Sequence, residues 1–339
     1  MSGSNGTPLV SVLTPVYNCG KYLEQCIESV LAQTFGDFEY IIVNNCSTDN
    51  TLDIARRFES MDSRIKVHSN TEFLGVIENH NLAFSLISPA TKYCKVVSGD
   101  DFIFPTCLEQ MVGFAAAHPS VGMVNCYELA GRHVMHVGLE YERSVVSGRD
   151  ICRSTLLGQR HVFGSPTSLL YSADLVRKST TFFPNNSPHA DLAACFKWLN
   201  DCDFGFVHQV LAYARIRSDS ESSRSLKDGT FKRSVISNVL DYGRLYLTPE
   251  EYDARLADAV NGYYSWLVKR IYEHRGDKEF WDLQKASLRD LGLTFSHAKL
   301  YKTAVLRTME EMGSPRAALR KVMRLKMASK EIEARYYFD

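Results

Sequence analysis

Between residues 8 and 129, short apolar segments alternate with amphipathic segments, and this pattern constrains the fold more than any other feature. The apolar segments, each of strand length, are residues 8–17, 38–45, 64–69, 93–98 and 121–129. The segments with helical spacing are residues 20–33, 51 onward, 78–87 and 105–118. Strands that alternate with helices predict a mostly parallel, Rossmann-like sheet with helices on both faces.

Three of these apolar segments end in polar residues. The ends are Pro15 to Asn18, Asn44 to Ser47 and Ser98 to Asp101. In an open α/β sheet, ligands bind beyond the carboxyl ends of the strands. We therefore expect the three polar ends to meet on one rim and to form a binding site.

Two adjacent aspartates, Asp100 and Asp101, follow the fourth apolar segment in "VVSGDDFIFP". A solvated turn is the simplest interpretation of an isolated Gly-Asp-Asp sequence. At a strand end, however, neighbouring carboxylates repel each other unless a cation lies close by. A divalent cation held by one or two carboxylates and by substrate phosphates would fit this position, so the pair predicts a metal–diphosphate site.

Bulk composition excludes several classes of protein. The 39 Lys and Arg residues balance the 39 Asp and Glu residues, which gives no electrostatic indication of a nucleic-acid partner. Nine cysteines without any C-x-x-C spacing predict reduced, mostly buried thiols and a cytoplasmic protein. We expect neither a signal peptide nor a membrane-spanning helix, because the necessary apolar segments are missing. The turn after the first strand lacks G-x-G-x-x-G, which disfavours a nicotinamide oxidoreductase.

The alternation weakens after residue 130. Residues 217–225 are polar and rich in serine, and they predict a linker or a mobile loop. Helical patterns then dominate, in residues 230–247, 249–274, 277–291, 297–312 and 315–335. We therefore predict a first domain over residues 1–225 and a helical C-terminal region over residues 226–339.

The first hundred residues contain three ordered sequence stretches, "VSVLTPVYNCGKYLEQCIESVLAQTFGDFEYIIVNNCSTDNTLDIA", "LGVIENHN" and "SGDD". With these stretches, this part of the chain resembles an inverting family 2 glycosyltransferase of the GT-A fold. The resemblance continues more weakly through "GSPTSLL", "ADLAACFKWL" and "LAYARIRSDSESS", and covers roughly residues 8 to 223. It implies a GT-A nucleotide-diphospho-sugar transferase domain, followed here by a helical annex.

The resemblance implies roles for the two aspartates. Asp101 would bind Mn²⁺ or Mg²⁺ against the donor diphosphate, and Asp100 would contact the ribose or the sugar of the donor. Family members often carry a further aspartate where this chain has Ser98. The two adjacent carboxylates remain, so we still expect a metal.

The nucleotide side would be formed by Pro15, Val16, Tyr17 and Asn45, with Tyr17 stacking on the base. A packed aromatic at a strand end is the alternative for Tyr17. The family usually has aspartate at the position of Asn45, where it accepts a hydrogen bond from uracil. An amide accepts and also donates, so Asn45 would fit uracil or thymine but excludes guanine and cytosine less strongly than an aspartate would. This weakens the usual inference of a UDP-sugar, which is still the donor that we expect.

Two further positions correspond to residues that approach the diphosphate in the family. His80 stands where an arginine is frequent, and Arg217 stands where a histidine is frequent. A guanidinium group binds phosphate oxygens well, although it cannot bind a metal. A surface histidine and a solvated loop arginine are the respective alternatives.

The catalytic base implied by the resemblance is Asp191, which would deprotonate the acceptor hydroxyl. A helix N-cap is the alternative for this residue, since "ADLAACFKWL" begins a helix here. His161 and Ser165 fall in the region that would face the acceptor.

Together, the residue patterns and the resemblance predict a metal-dependent inverting glycosyltransferase of glycan or polysaccharide biosynthesis. Its acceptor would be a glycan or a lipid-linked glycan. A nucleotide-sugar-binding protein with impaired catalysis is the alternative, motivated by the altered positions Asn44, Asn45, Ser98, Ala190 and Arg217. The basic helical segment 314–335 would either form a bundle or homodimer interface or lie on the inner face of a membrane.

Overall fold

The computed structural model describes residues 8–185, 187, 189–217 and 221–312. The chain forms two compact units, the first comprising Met1–Ile216 with Leu245–Leu247 and the second comprising Arg217–Arg244 with Thr248–Asp339. The predicted domain boundary at residues 225 and 226 stays a prediction. The basic segment 314–335 lies outside the described residues, and so do the membrane and dimer contacts predicted for it.

The first part of the first unit confirms the predicted alternation of strands and helices. Its elements are β1 Val10–Val16, α1 Leu23–Leu31, β2 Phe38–Asn44, α2 Thr51–Met61, β3 Ile65–Ser69, α3 Val76–Ser85, β4 Tyr93–Val96, β5 Phe102–Ile103, α4 Cys107–Ala117 and β6 Val121–Ala130. Every residue of β1 and β2 is buried. Strands covered on both faces have no reason to alternate between apolar and polar residues, which is why these segments are mostly apolar along their whole length.

The remainder of the first unit is less regular. Its elements are β7 His133–Met135, β8 Val145–Ser147, α5 Gly148–Leu156, a 3₁₀ turn Pro166–Ser168, β9 Leu170–Ser172, α6 Ala173–Arg177, α7 Ala190–Trp198 and β10 Asp203–Ala214. Three of the four strands have only three residues, which is too short to show a period-two pattern. The weak sequence signal beyond residue 130 therefore has a structural cause.

All the described strands belong to one mixed sheet. Its order is β3-β2-β1-β4-β9-β6-β10-β5, with β7 beside β6 and β8 beside β10. Strands β1 to β4 run parallel, and β9 runs antiparallel to both β4 and β6. Strands β6 and β10 therefore run in the same direction as β4, since β10 is parallel to β6. The carboxyl ends of β1, β2, β4, β6 and β10 all face one rim, and β9 begins at that rim.

Helix α1 illustrates how the core positions this rim. Its buried residues are Leu23, Cys26, Ile27 and Val30. They fall on one face of the helix, as their spacing predicts.

The nine cysteines are all free thiols and most are buried, which confirms the sequence-based expectation.

The second unit is helical, as predicted. Its helices are α8 Glu221–Asp228, α9 Thr230–Tyr246, α10 Pro249–Arg270, α11 Lys278–Asp290 and α12 His297–Met312. The prediction of a loop over residues 217–225 was wrong in its second half, because α8 begins at Glu221. Thr248 and Glu251 cap α10 reciprocally, with each side chain bonded to the other's backbone N–H. Among the described helices, none is long and apolar enough to cross a bilayer.

Candidate functional site

The turn between β4 and β5 carries both aspartates. The Val97 N–H donates to the Leu13 carbonyl at 2.9 Å, so the end of β4 stays attached to β1, and the Asp101 N–H then donates to the Ser98 carbonyl at 2.9 Å. Gly99 lies directly against the end of β1, because a Cβ atom there would come within 2.5 Å of Val16 Cγ1. Glycine at this position therefore lets the turn lie close to the first strand.

The carboxylate of Asp101 is held from both sides. The Thr167 hydroxyl donates to its Oδ2 at 2.7 Å, and the backbone N–H of Arg215 donates to its Oδ1 at 2.9 Å. The residue is only 8% exposed. Thr167 stands just before β9 and Arg215 just after β10, so the second half of the sheet fixes the acidic group that follows β4.

The surroundings of Asp101 are strongly anionic. Burial, followed by the negative charges of Asp100 and Glu128, raises the pKa of the Asp101 carboxyl to about 8. Glu128 is itself buried on β6, where it accepts a hydrogen bond from the Ser165 hydroxyl at 2.5 Å. His136 lies 3.4 Å from the other oxygen of Glu128. A cation placed here would favour the ionised form of Asp101.

Asp100 is fixed through its main chain. Its carbonyl accepts a hydrogen bond from Arg215 Nε at 2.9 Å. The same guanidinium group donates to Gln25 Oε1 at 2.6 Å and lies 4.6 Å from the Tyr22 ring centre. Sequence reasoning singled out Arg217 and missed Arg215. The only sequence signal that could have identified Arg215 is its position directly after the last strand, β10.

The donor set fits a hard divalent cation that also binds substrate. Among the described residues, no three His, Cys, Asp or Glu side chains form a group able to hold a metal unaided. Asp101 offers a carboxylate in an anionic environment, and Mg²⁺-type ions are commonly held by one or two carboxylates together with substrate phosphates. The residues are therefore compatible with a cation whose remaining ligands come from a diphosphate and water.

An aromatic pair lies at the end of β1. Tyr17 is 46% exposed and makes an edge contact with Phe73, which is 60% exposed, with the ring centres 4.9 Å apart. Tyr17 is therefore accessible to a planar ligand. Pro15 and Val16 are buried within β1, so their side chains contribute to the sheet.

Asn45 is buried, and both ends of its side-chain amide are hydrogen-bonded within the protein. Its Oδ1 accepts hydrogen bonds from the Leu74 N–H and from Asn70 Nδ2, both at 2.9 Å. Its Nδ2 donates to the Leu74 carbonyl at 2.7 Å. In this conformation the side chain holds the segment that carries Phe73. The predicted contact between Asn45 and a base stays a prediction.

The first turn of α7 contains Asp191. The N-cap residue of this helix is His189, and no side-chain capping bond forms, so Asp191 does not occupy the N-cap position. Its charge acts on His80, whose pKa is lowered by burial, while the Val76 carbonyl and Asp191 oppose this effect. The His80 Nδ1–H donates to Val76 O at 2.7 Å. The structure thus brings His80 close to the predicted base.

The remaining predicted residues are distributed differently. Ser165 joins the rim through its bond to Glu128, whereas His161 is exposed on the loop before the 3₁₀ turn. Arg217 belongs to the second unit, and its contact with a diphosphate stays a prediction. Sequence reasoning missed three residues of the rim, which are Glu128, His136 and Thr167. They come together at the rim because β9 pairs with two strands that are distant in sequence, β4 and β6.

Part of the first unit matches a known protein family. The family model described as "Glycosyl transferase family 2" matches residues 11–168. The putative teichuronic acid biosynthesis glycosyltransferase TuaG of Bacillus subtilis is 29% identical over 228 residues, covering 66% of this chain and 85% of the relative. An uncharacterized glycosyltransferase of Haemophilus influenzae is 27% identical, covering 54% of this chain and 58% of its own length. The putative glycosyltransferase EpsH of Bacillus subtilis is 35% identical, but only over 35% of this chain and 34% of its own length.

Solved structures show the same fold. S. aureus TarS 1–349 in complex with UDP-GlcNAc aligns with a TM-score of 0.61 at 20% identity, covering 83% of this chain and 80% of TarS 1–349. The mannosyltransferase PcManGT from Pyrobaculum calidifontis, in complex with GDP-Man and Mn²⁺, aligns with a TM-score of 0.56 at 15% identity. It covers 95% of this chain and 85% of that one. The family match therefore shows a glycosyltransferase family 2 domain over residues 11–168 of this chain, and the solved structures show its fold.

Proposed function

We propose that this protein transfers a sugar from a nucleoside diphosphate donor to a hydroxyl group, with inversion at the anomeric carbon. The observation that supports this proposal most directly is the buried Asp101 carboxylate, which Thr167 and Arg215 hold at the carboxyl ends of the strands. A fixed carboxylate with anionic neighbours is suited to a cation that accompanies a diphosphate. The family 2 match over residues 11–168 supports the same reaction.

The reaction assigns distinct roles to the described residues. The acceptor hydroxyl attacks the anomeric carbon and its proton passes to the Asp191 carboxylate. The bond between the anomeric carbon and the diphosphate oxygen breaks, and its electron pair leaves with the diphosphate. A divalent cation bound beside Asp101 would supply neutralisation of the charge that develops on the leaving group. The exposed Tyr17 ring would stack on the base and Asp100 would contact the ribose or the sugar.

A UDP-sugar is the donor that we favour, with Mn²⁺ or Mg²⁺ as the cation. The structural neighbours with bound UDP-GlcNAc and with bound GDP-Man and Mn²⁺ support this class of donor. We further propose a glycan or lipid-linked glycan acceptor, and cytoplasmic action at the inner face of a membrane. The name of the TuaG relative, which refers to teichuronic acid biosynthesis, is in keeping with a polysaccharide acceptor.

A thermal-shift screen tests the donor proposal. UDP-, GDP-, CDP- and dTDP-sugars are each added with Mn²⁺, and the melting temperature of the protein is recorded. A cognate donor in large excess over its Kd should raise the melting temperature by about 2 °C or more, since it binds only the folded state. No response to any nucleotide sugar would contradict the proposed function.

The alternative is a binding protein of the same fold with impaired catalysis. The departures at Asn45, Ser98 and Ala190 from the usual family residues motivate it. Donor turnover distinguishes the two proposals. A protein that binds a nucleotide sugar with Mn²⁺, yet releases no nucleoside diphosphate with any acceptor tested, would fit the alternative.

A further inference from the structure

Beneath the acidic turn lies a lysine with no exposed surface. Lys95 is on β4, and its ammonium group donates hydrogen bonds to the carbonyls of Thr167 and Leu169, the latter at 3.1 Å. A buried charge is costly unless it is well hydrogen-bonded. The chain thus places a strong donor where it fixes the backbone around Thr167.

Thr167 is itself fully buried and connects both ends of the acidic turn. Its hydroxyl donates to Asp101 Oδ2 at 2.7 Å and accepts from the Ser98 N–H at 3.1 Å. The residue belongs to the 3₁₀ turn that precedes β9. Because β9 runs antiparallel to β4, this turn begins at the rim where β4 ends.

The Asp101 carboxylate is consequently oriented before any ligand binds. An ionised carboxylate has about four lone-pair sites. The protein uses one site on each oxygen, through Thr167 and through the Arg215 backbone N–H. The remaining lone-pair sites of Asp101 keep a fixed direction only while both donors hold the carboxylate.

We propose that Thr167 is a positioning residue, which orients Asp101 toward the divalent cation of the donor diphosphate and is itself held in place by Lys95. This role rests on the proposed function, because it assigns the cation to Asp101. Groups that orient a metal-binding residue typically change metal affinity or activity by 10- to 100-fold when they are removed. A hydroxyl with a merely structural role would change stability and leave metal affinity unaltered.

The test uses Thr167→Val, which keeps the shape of the side chain and removes the hydroxyl. Binding of Mn²⁺ in the presence of UDP is followed by the electron paramagnetic resonance signal of free Mn²⁺, together with the melting temperature. We expect about tenfold weaker Mn²⁺ binding for Thr167→Val, and recovery to within about threefold of wild type for Thr167→Ser, which restores the donor. If Thr167→Val does not fold, Thr167→Ala carries the same expectation.

Thr91→Val provides the matched control. Thr91 is also buried, and its hydroxyl is hydrogen-bonded to Ser11 at 2.8 Å near the opposite end of β1. We expect Thr91→Val to lower the melting temperature and to bind Mn²⁺ like wild type. The positioning role of Thr167 would be overturned if Thr167→Val bound Mn²⁺ as tightly as wild type, or if Thr91→Val weakened Mn²⁺ binding as much as Thr167→Val does. The proposed function would not be affected by either result. Absence of Mn²⁺ binding by the wild-type protein with UDP would instead overturn the proposed function together with this role.

Discussion

The two halves of the sheet contribute to the rim in different ways. Strands β1 to β4 are parallel, locally connected and followed by polar ends that present Tyr17, Asn45 and the two aspartates. Strands β6, β9 and β10 are joined by pairings between distant residues, and they supply the groups that hold Asp101. In the proposed reaction the first half would offer surface to a nucleotide, whereas the second half orients the acid and carries the proposed base.

This difference predicts how variants should separate. Changes at the nucleotide surface of the first half, at Tyr17, should act mainly on KM for the donor, because they alter the surface that the nucleotide would contact. Changes at Asp101, and in the second half that holds it, should act on kcat or on metal affinity, because they alter the groups that would take part in or orient the chemistry. The following variants test this division, in order of decreasing expected effect.

Asp191→Asn should lower kcat by about 10³-fold, since general base catalysis contributes roughly 10²- to 10⁴-fold. Its KM for the donor should change little, because Asn keeps the size of the side chain. Steady-state release of nucleoside diphosphate measures both quantities. Asp174→Asn is the matched control, as Asp174 also lies in the first turn of a helix and is exposed. A kcat for Asp191→Asn within a few-fold of wild type would remove Asp191 from the role of base.

Tyr17→Ala should raise KM for the donor by about tenfold, with a smaller change in kcat, because stacking of a base on an aromatic ring contributes roughly 1–3 kcal/mol. Titration of the donor against initial rate measures this effect. Tyr141→Ala is the control, since Tyr141 is an exposed tyrosine outside the candidate site. Equal KM values for the wild-type protein and Tyr17→Ala would show that Tyr17 is a packing residue at a strand end.

Asn45→Ala should weaken the attachment of residues 70–74, because it removes three hydrogen bonds from a buried amide. Leaving their partners unsatisfied costs about 1–3 kcal/mol, so the free energy of unfolding in urea should fall by that amount. Hydrogen exchange at the Leu74 amide should become faster. Unchanged exchange at Leu74 would contradict the structural role that the bonds assign to Asn45.

The sequence predicts the first half of this molecule better than the second for a physical reason. Each strand and helix up to β6 forms a local unit, and its apolar spacing is visible within 10 to 15 residues. Such spacing located the rim, the strand ends and the aspartate pair. Strand β9 has only three residues, and its place between β4 and β6 depends on pairing over more than 40 residues. No local pattern could therefore place Thr167 beside Asp101.

The same limit applies to individual side chains. The resemblance drew attention to Arg217, while Arg215 makes the observed bonds to the acidic turn. Similarly, Asn45 was interpreted as a group that reads a base, and its amide is used within the protein in this structure. A motif identifies residue types and their order, but the partners of a polar group depend on loops that the motif does not include.

The most direct test of the central claim is the release of nucleoside diphosphate from the cognate donor, measured with Mn²⁺ and with a chelator, for wild type and for Asp101→Asn. We predict turnover by the wild-type protein with Mn²⁺ and its loss on chelation. Asp101→Asn should be slower by about 10²- to 10³-fold even with Mn²⁺, because the charge on the leaving group would be poorly stabilised. Undiminished turnover under chelation, or wild-type turnover by Asp101→Asn, would contradict the assignment of Asp101 as the carboxylate that holds the cation.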